Sequence, residues 1–292
     1  MTVYKTTQVF VAGGMPRYTY IPRREHRLEE RLNAANEGLC KLVTVTGTTK
    51  SGKTVLASRI FPRESCVWVD GGGIGEENDL WNFILEGISG HTLFGEGAVD
   101  SRMIGLSGKG SGEVSIPLFG KIGGGIESES GITKQTSINS SLALSPRAAA
   151  LTQLRRSKRP LVLDDFHYLD RKFQGNIIRA LKPLIFEGSP VVLIAIPHRK
   201  YDAVKVEKEM TGRLENIQIP TWEIDELLRI PREGFALLNV EVNEGALRTL
   251  AAESYGSPHL MQEFCRNLSS TNNIFEGDYP LTFRRLSSIM IV

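Results

Sequence analysis

Short apolar runs alternate with segments of helical periodicity along most of the chain. The runs at residues 41–46, 66–70, 161–163, 191–196 and 216–219 are rich in β-branched or continuously apolar residues. Such runs are typical of strands that are buried on both faces. Strands that alternate with helices predict a parallel sheet covered by helices, so the fold class is α/β with five parallel strands.

Helical segments show apolar stripes separated by charged residues. They cover residues 22–32, 54–60, 79–88, 145–154, 172–186, 225–230, 232–238, 244–253 and 258–268. Pro183 is expected to bend or break the helix that contains it. The segments that follow the last strand predict a small helical lid.

Residues 95–140 differ from the rest because glycine and serine dominate them. Within this stretch Val114, Ile116 and Leu118 alternate with other residues, which favours a glycine-rich β-hairpin inserted into the domain. A flexible loop is the alternative that this composition leaves open. The domain organisation follows: an N-terminal segment at 1–40, a core at 41–220 with this insertion, a lid at 221–270 and a tail at 271–292.

Composition and charge narrow the class of protein without identifying it. The 292 residues have a formal net charge of +2, so the whole chain has no strong attraction to nucleic acid or acidic membranes. Three widely spaced cysteines disfavour both a disulfide framework and a zinc site. The longest apolar run, at 191–197, is too short to span a membrane, and a cytoplasmic location is expected.

The segment after the first strand fits the phosphate-loop pattern GxxxxGK[ST]. It consists of Gly47, Thr48, Thr49, Lys50, Ser51, Gly52, Lys53 and Thr54, and Val55 continues it into a helix. Such a loop points main-chain N–H groups at an anion. Lys53 is expected to contact the β- and γ-phosphates, and Thr54 to place its hydroxyl on Mg²⁺. The sequence therefore predicts a site for ATP and Mg²⁺.

Two aspartates at the end of the third strand supply the second half of this predicted site. Asp164 is expected to hold Mg²⁺ directly or through a water, and Asp165 to orient or deprotonate the attacking water. An ordinary Asp-Asp turn is the alternative, which the phosphate loop disfavours. His167 either contacts groups beside the aspartates or is a packing or solvent-facing histidine.

These motifs resemble, in the same order, those of the AAA+ and STAND classes of P-loop ATPase. The resemblance rests on the phosphate loop, on LVLDDFH, and on VVLIAI followed by Pro197-His198-Arg199. It implies the strand order 5-1-4-3-2, with the strand at 191–196 between those at 41–46 and 161–164. It also implies that a polar residue after VVLIAI senses the γ-phosphate, with His198 as the candidate and Arg199 as the next one.

Three further segments are similar to those classes. YTYIPRREHRLE resembles a segment that touches adenine, which implies that Tyr20 and Ile21 line the base pocket. Arg213 stands where many AAA+ proteins place an arginine finger for a neighbouring subunit, although a solvated or ion-paired arginine is an equal alternative. YGSPH resembles the Gly-x-Pro element of STAND lids and implies that Pro258 and His259 approach the nucleotide.

The leading functional hypothesis is an ATP-hydrolysing STAND- or AAA+-like switch that controls self-assembly or an effector supplied by another chain. The resemblance suggests a bacterial protein with a role in defence against phage. Exposed edges of the predicted hairpin favour a homo-oligomer. A DNA-associated AAA+ ATPase of the transposition-helper type is the first alternative, for which the basic run at residues 155–159 is the candidate surface. A nucleotide-binding scaffold without turnover is the second.

Overall fold

The computed structural model describes residues 3–37, 40–95, 145–196, 210, 212–277 and 284–286. The chain separates into two compact units. One comprises Met1–Ile74 with Lys158–Val292, and the other comprises Gly75–Ser157. The phosphate loop, the two aspartates and the lid belong to the first unit.

A five-stranded parallel sheet forms the centre of the first unit. Its strands are β1 (Leu42–Thr46), β2 (Val67–Asp70), β3 (Leu161–Asp164), β4 (Val191–Ala195) and β5 (Leu214–Gln218). The strands lie in the order β2-β3-β4-β1-β5. This confirms the predicted order and the predicted position of the strand at 191–196 between its two neighbours.

The burial of the strands explains their order. Every residue of β1, β3 and β4 is buried, whereas β2 and β5 at the sheet edges include half-exposed and exposed residues. An apolar strand is stabilised less at a sheet edge than at the centre, because an edge leaves part of its apolar surface in water. Since all strands are parallel, the ends of β1 and β3 meet at the same side of the sheet.

The described residues also form helices in both units. They are α1 (Thr6–Val9), α2 (Leu28–Asn36), α3 (Lys53–Ile60), α4 (Glu77–Gly95), α5 (Pro146–Ser157), α6 (Arg171–Phe186), α7 (Ile224–Leu237), α8 (Glu244–Glu253) and α9 (Pro258–Thr271). Helix α6 continues through Pro183. The prediction of two helices at 225–238 was wrong, because α7 continues through Pro231.

Burial accounts for the continuity of α7. A proline inside a helix costs about 3 kcal/mol, because it removes a hydrogen bond and crowds the preceding turn. Leu227, Leu228, Ile230 and Phe235 of α7 are all buried in one apolar cluster. Each such side chain stabilises the fold by about 1.5–3 kcal/mol, so their sum outweighs the cost of the proline.

The N-terminal segment packs on the lid, which comprises α7, α8 and α9. Val9, Phe10 and Ile21 are buried in the lid's apolar cluster, and the rings of Phe10 and Phe235 lie 4.9 Å apart. The Thr6 hydroxyl donates a hydrogen bond to the carbonyl of Ile274, at 2.8 Å. A small parallel sheet of β6 (Val240–Val242) and β7 (Arg284–Leu286) was not predicted from the sequence.

The described residues of the second unit form α4 and α5. Trp81 is fully buried there, and Arg147 lies 3.8 Å from Glu77. Most of the predicted hairpin at 95–140 lies outside the described residues, as does His198. No helix in the described ranges has the length and apolar character that a membrane crossing requires.

Candidate functional site

Two residues of the loop between β1 and α3 have left-handed backbone conformations, which also occur in anion-binding nests. Lys50 and Gly52 adopt positive φ angles of 62° and 95°. Alternation of such residues with right-handed ones turns successive N–H groups toward one point. A side chain at Gly47 would lie 2.7 Å from the Ser51 hydroxyl and 3.1 Å from Ile219, so only glycine fits there.

Lys53 is a buried cation at the start of α3. Its ammonium donates hydrogen bonds to the carbonyls of Gly47, at 3.1 Å, and Thr48, at 2.8 Å. In the part of the chain that the structure covers, Lys53 forms no ion pair. Burial lowers the pKa of the Lys53 ammonium, and the nearby Asp165 and Asp164 oppose this shift. A buried cation that only main-chain carbonyls contact is suited to an anionic ligand.

Asp164 and Thr54 face each other across the end of the sheet. The Thr54 hydroxyl lies 3.4 Å from Asp164 Oδ1, and the Asp165 main-chain N–H donates to the same oxygen at 2.9 Å. Burial and then the neighbouring Asp165 carboxylate raise the pKa of Asp164. Asp70, which pairs in register with Asp164 at the end of β2, adds further negative charge. A cation beside these oxygens would offset that charge.

Asp165 turns away from the strand into the open part of the site. It has left-handed φ and ψ angles of 49° and 36°, a conformation that aspartate tolerates better than most residues. Its side chain is 44 % exposed, and its carboxylate lies 3.8 Å from Nδ1 of the buried His167. The histidine therefore packs beside the carboxylate, which leaves Asp165 accessible to a water molecule.

A close contact with Gly71 holds the two aspartates in place. A Cβ at Gly71 would lie 2.7 Å from the Asp165 carbonyl and 3.1 Å from that of Asp164, whereas a Cβ at Gly73 would meet no atom within 4 Å. We expect Gly71→Ala to lower the free energy of unfolding by about 1–3 kcal/mol. Thermal unfolding measures this loss. Gly73→Ala is the matched control, and equal melting temperatures for both variants would contradict the assignment.

A cavity of about 590 Å³ opens beside the phosphate loop. Three parts of the first unit form its walls: the N-terminal segment, the loop with α3, and the lid helices. The predicted site residues in its wall are Tyr20, Ile21, Thr49, Lys50, Ser51, Gly52, Lys53, Thr54, Val55, Asp165, Pro258 and His259. The fold thus brings together residues that are more than 200 positions apart in the sequence.

Tyr20 lies in a triad at one end of this cavity. Its hydroxyl donates a 2.6 Å hydrogen bond to Glu29, and the Arg59 guanidinium lies 3.9 Å from its ring centre. Burial, followed by the Glu29 carboxylate, raises the pKa of Tyr20. The ring is therefore fixed between polar partners, and Ile21 beside it is buried.

Pro258 and His259 begin α9 and also line the cavity. Ser257 caps this helix by accepting a hydrogen bond from the Leu260 N–H, and its hydroxyl lies 3.5 Å from the Lys50 carbonyl. Burial and then the Lys50 charge lower the pKa of His259, while Glu263 opposes the shift. The lowered pKa favours a neutral imidazole in this structure at neutral pH.

Arg213 lies at one end of the parallel strands, and the phosphate loop lies at the other end. Its carbonyl accepts a hydrogen bond from the N–H of Leu42, the first residue of β1, whereas the loop follows the last residue of β1. The exposed Arg213 guanidinium lies 5.0 Å from the ring centre of Phe186. Its own loop is therefore out of reach, and a role of Arg213 in a neighbouring site stays a prediction.

The sequence interpretation missed two contributors to the site. Asp70 follows a continuous run of apolar residues at the end of a strand, as Asp164 does, and this similarity could have drawn attention to it. Trp222 donates a hydrogen bond from Nε1 to the Ser51 carbonyl, at 3.1 Å. No sequence pattern pairs residues 171 positions apart, so only the fold shows this contact.

The residues present fit a nucleotide and a divalent cation. The Ser51 hydroxyl is buried without a hydrogen-bond partner among the described residues, and it lies inside the loop that surrounds the Lys53 ammonium. Hydroxyl and carboxylate oxygens such as those of Thr54 and Asp164 are the ligands that Mg²⁺ prefers. The cavity adds a volume within the range of small-molecule sites.

Comparison with known proteins extends this picture at the level of the fold. No family model and no curated protein sequence matches the chain. Among solved structures, Cdc6p of Pyrobaculum aerophilum superposes with a TM-score of 0.58 at 14 % identity, over 94 % of this chain and 68 % of that one. Orc1 of Aeropyrum pernix in complex with DNA gives 0.55 at 15 % identity, over 93 % and 65 %. The sheet order and these superpositions together show that the chain has an α/β P-loop NTPase fold like that of Cdc6p and Orc1.

Proposed function

We propose that the protein binds ATP with Mg²⁺ and hydrolyses it. The observation that carries this proposal is the Lys53 ammonium, which is buried without an ion pair in the described part of the chain and lies inside the nest of the phosphate loop. The loop opens on a cavity that is large enough for a nucleotide. Beside it lie the oxygens of Thr54 and Asp164, which are suited to a cation.

Each residue of the site then has a distinct role. The main-chain N–H groups of residues 47–54 and the Lys53 ammonium bind the phosphates, and this ammonium stabilises charge that develops during transfer. Thr54 and Asp164 would hold Mg²⁺, which would supply further charge neutralisation at the phosphates. Asp165, exposed at the cavity, orients a water and accepts its proton. Tyr20, Ile21, Pro258 and His259 contact the base and sugar or the phosphates from the other walls.

Purified wild-type protein provides the direct test. We expect saturable binding of a fluorescent ATP analogue and release of phosphate that requires Mg²⁺. Protein that binds no nucleotide at millimolar concentration would overturn the proposal. Binding without measurable phosphate release would instead support the nucleotide-binding scaffold.

A finer proposal is a STAND-like switch in which nucleotide state controls self-assembly or a separate effector, with bacterial defence against phage as its setting. The Gly-x-Pro segment supports it, because Pro258 and His259 at the start of the lid helix α9 line the same cavity as the phosphate loop. A nucleotide there would therefore contact both the core and the lid. Cys66 and Cys265 are buried thiols that form no disulfide, which supports a reducing cytoplasm as its location.

Assembly supplies a second prediction. We expect ATP or a non-hydrolysable analogue to raise the molecular mass in size-exclusion chromatography with light scattering. Arg213→Ala should lower phosphate release by about 10³-fold or more if this arginine completes a neighbour's site. Mixing Arg213→Ala with Asp165→Asn should restore part of the activity, because some sites then combine an intact arginine with an intact aspartate.

The matched control is Arg266→Ala, which removes an exposed arginine of α9 that does not line the cavity. A monomer in every nucleotide state would contradict the assembly proposal. Full activity of the Arg213 variant would contradict its proposed role while leaving ATP hydrolysis intact.

DNA binding is a second candidate function, favoured by the superposition on an Orc1 structure that contains DNA. The basic run at residues 155–159 supports DNA binding less strongly than its sequence alone implied. Arg159 donates hydrogen bonds to the carbonyls of Glu64 and Cys66, at 2.8 and 3.0 Å, so part of that run stabilises the protein itself. Affinity for duplex DNA that falls steeply with salt would support this candidate.

A further inference from the structure

The phosphate loop contacts the segment that leads into the lid, in addition to following a strand of the sheet. Trp222 lies in the linker between β5 and α7, and its indole N–H donates to the Ser51 carbonyl at 3.1 Å. Ser51 itself is only 2 % exposed. The hydrogen bond thus fixes one peptide of the loop to the segment from which the lid begins.

Arg23 fixes the indole in turn. Its guanidinium lies 4.8 Å from the ring centre of Trp222 and donates to the carbonyls of Pro220, at 2.8 Å, and Thr221, at 3.3 Å. Two further bonds, of 2.7 and 2.8 Å, join it to both carboxylate oxygens of Glu226. Arg23 lines the cavity, yet most of its donors and its charge face the linker and Glu226, so it holds the linker in place.

Glu226 connects this cluster to the start of the lid. Its carboxylate also accepts a hydrogen bond from the Glu223 N–H, at 2.8 Å, which caps α7. Burial alone would raise the pKa of Glu226, but the hydrogen bonds from Arg23 and Glu223 outweigh it and lower the pKa. The carboxylate is therefore charged at neutral pH and attracts both Arg23 and the N-terminus of α7.

We propose that Trp222 is a positioning residue that holds the phosphate loop in its binding shape and couples it to the lid helix α7 through Arg23 and Glu226. This inference rests on the proposed nucleotide site and adds a route between that site and the lid. When phosphate binding moves the loop's peptides, the Ser51 carbonyl that accepts the indole hydrogen bond moves as well. Arg23 contacts both the indole and Glu226, so this movement also changes the hydrogen bond by which Glu226 caps α7.

Trp222→Phe tests this role because it keeps an aromatic ring over Arg23 and removes only the N–H donor. We expect the dissociation constant for an ATP analogue to rise about three- to tenfold, the value of one hydrogen bond, with kcat within about twofold of wild type. The wild type should also change its tryptophan fluorescence when ATP binds, and the variant should lose that change.

Trp68→Phe is the matched control. The Nε1 of Trp68 has no hydrogen-bond partner in the described ranges, and Trp68 does not line the cavity. This variant should bind ATP as the wild type does and keep the fluorescence change. Glu226→Gln keeps Trp222 but weakens the ion pair with Arg23 that supports the indole. This variant should also raise the dissociation constant for the ATP analogue, by a smaller factor than Trp222→Phe does.

The outcomes separate the two proposals. If the wild type binds ATP, and Trp222→Phe binds it equally well with its fluorescence change intact, the coupling role is wrong and the nucleotide site stands. If the wild type binds no ATP, both are wrong. A loss of binding in Trp68→Phe equal to that in Trp222→Phe would also overturn the role, because the effect would then come from tryptophan packing in general.

Discussion

Lys53→Ala should weaken ATP binding by about 100-fold or more, the largest change in affinity that we expect from a single substitution. Hydrogen bonds to charged groups contribute about 1.5–3 kcal/mol each, and an ammonium can form more than one to a triphosphate. In this structure the ammonium is buried between the carbonyls of Gly47 and Thr48. Alanine removes the cation while the main-chain nest remains. Titration with a fluorescent ATP analogue measures the effect.

The same substitution should leave the fold intact. Burial lowers the pKa of Lys53, which means that the folded protein disfavours its charged form and gains little stability from it at neutral pH. We therefore expect a melting temperature close to that of the wild type. Lys172→Ala, which removes an exposed lysine at the start of α6, is the control and should bind ATP normally. Tight binding by Lys53→Ala would show that the phosphates lie elsewhere.

Asp165→Asn should keep nucleotide binding and lower turnover by about 10²–10⁴-fold, the usual contribution of a general base. The substitution is nearly isosteric, and the side chain is 44 % exposed, so neither packing nor the loop should change. What is lost is the negative charge that orients a water and accepts its proton. Phosphate release under saturating ATP, together with a separate binding titration, distinguishes the two effects.

Asp170→Asn is the matched control, because Asp170 is exposed, precedes α6 and forms no side-chain cap with it. It should hydrolyse ATP at the wild-type rate. Normal hydrolysis by Asp165→Asn would contradict the role assigned to Asp165. Equal rates near zero for wild type and variant would leave a nucleotide-binding scaffold.

The sheet was predictable because its information is local. β4 is continuously apolar and β1 is rich in β-branched residues, and such runs are typical of strands buried on both faces inside a parallel sheet. The order of the strands came from the resemblance of the motifs to a known class, not from periodicity. The prediction that the helix ends at Pro231 was wrong for a non-local reason. Burial of the residues around Pro231 stabilises a continuous helix by more than the proline destabilises it.

The candidate site divides in the same way. The phosphate loop and the Asp164-Asp165 pair are short motifs whose backbone geometry depends on neighbouring residues, so the sequence identifies them. The close approach of Gly71 to both aspartates, and the packing of the N-terminal segment on the lid, depend on chain segments that are distant in sequence. Periodicity contains no information about such pairs.

The sequence by itself determined the α/β class, and it singled out the loop at 47–54 and the two aspartates that we propose as the phosphate and cation site. These follow from side-chain chemistry and from patterns over a few neighbouring residues. Only the tertiary structure showed that the lid and the N-terminal segment form the other walls of the cavity, and that Trp222 donates a hydrogen bond to the loop. The reason is physical: contacts between distant segments arise from burial of apolar surface by the whole chain, which no local pattern specifies.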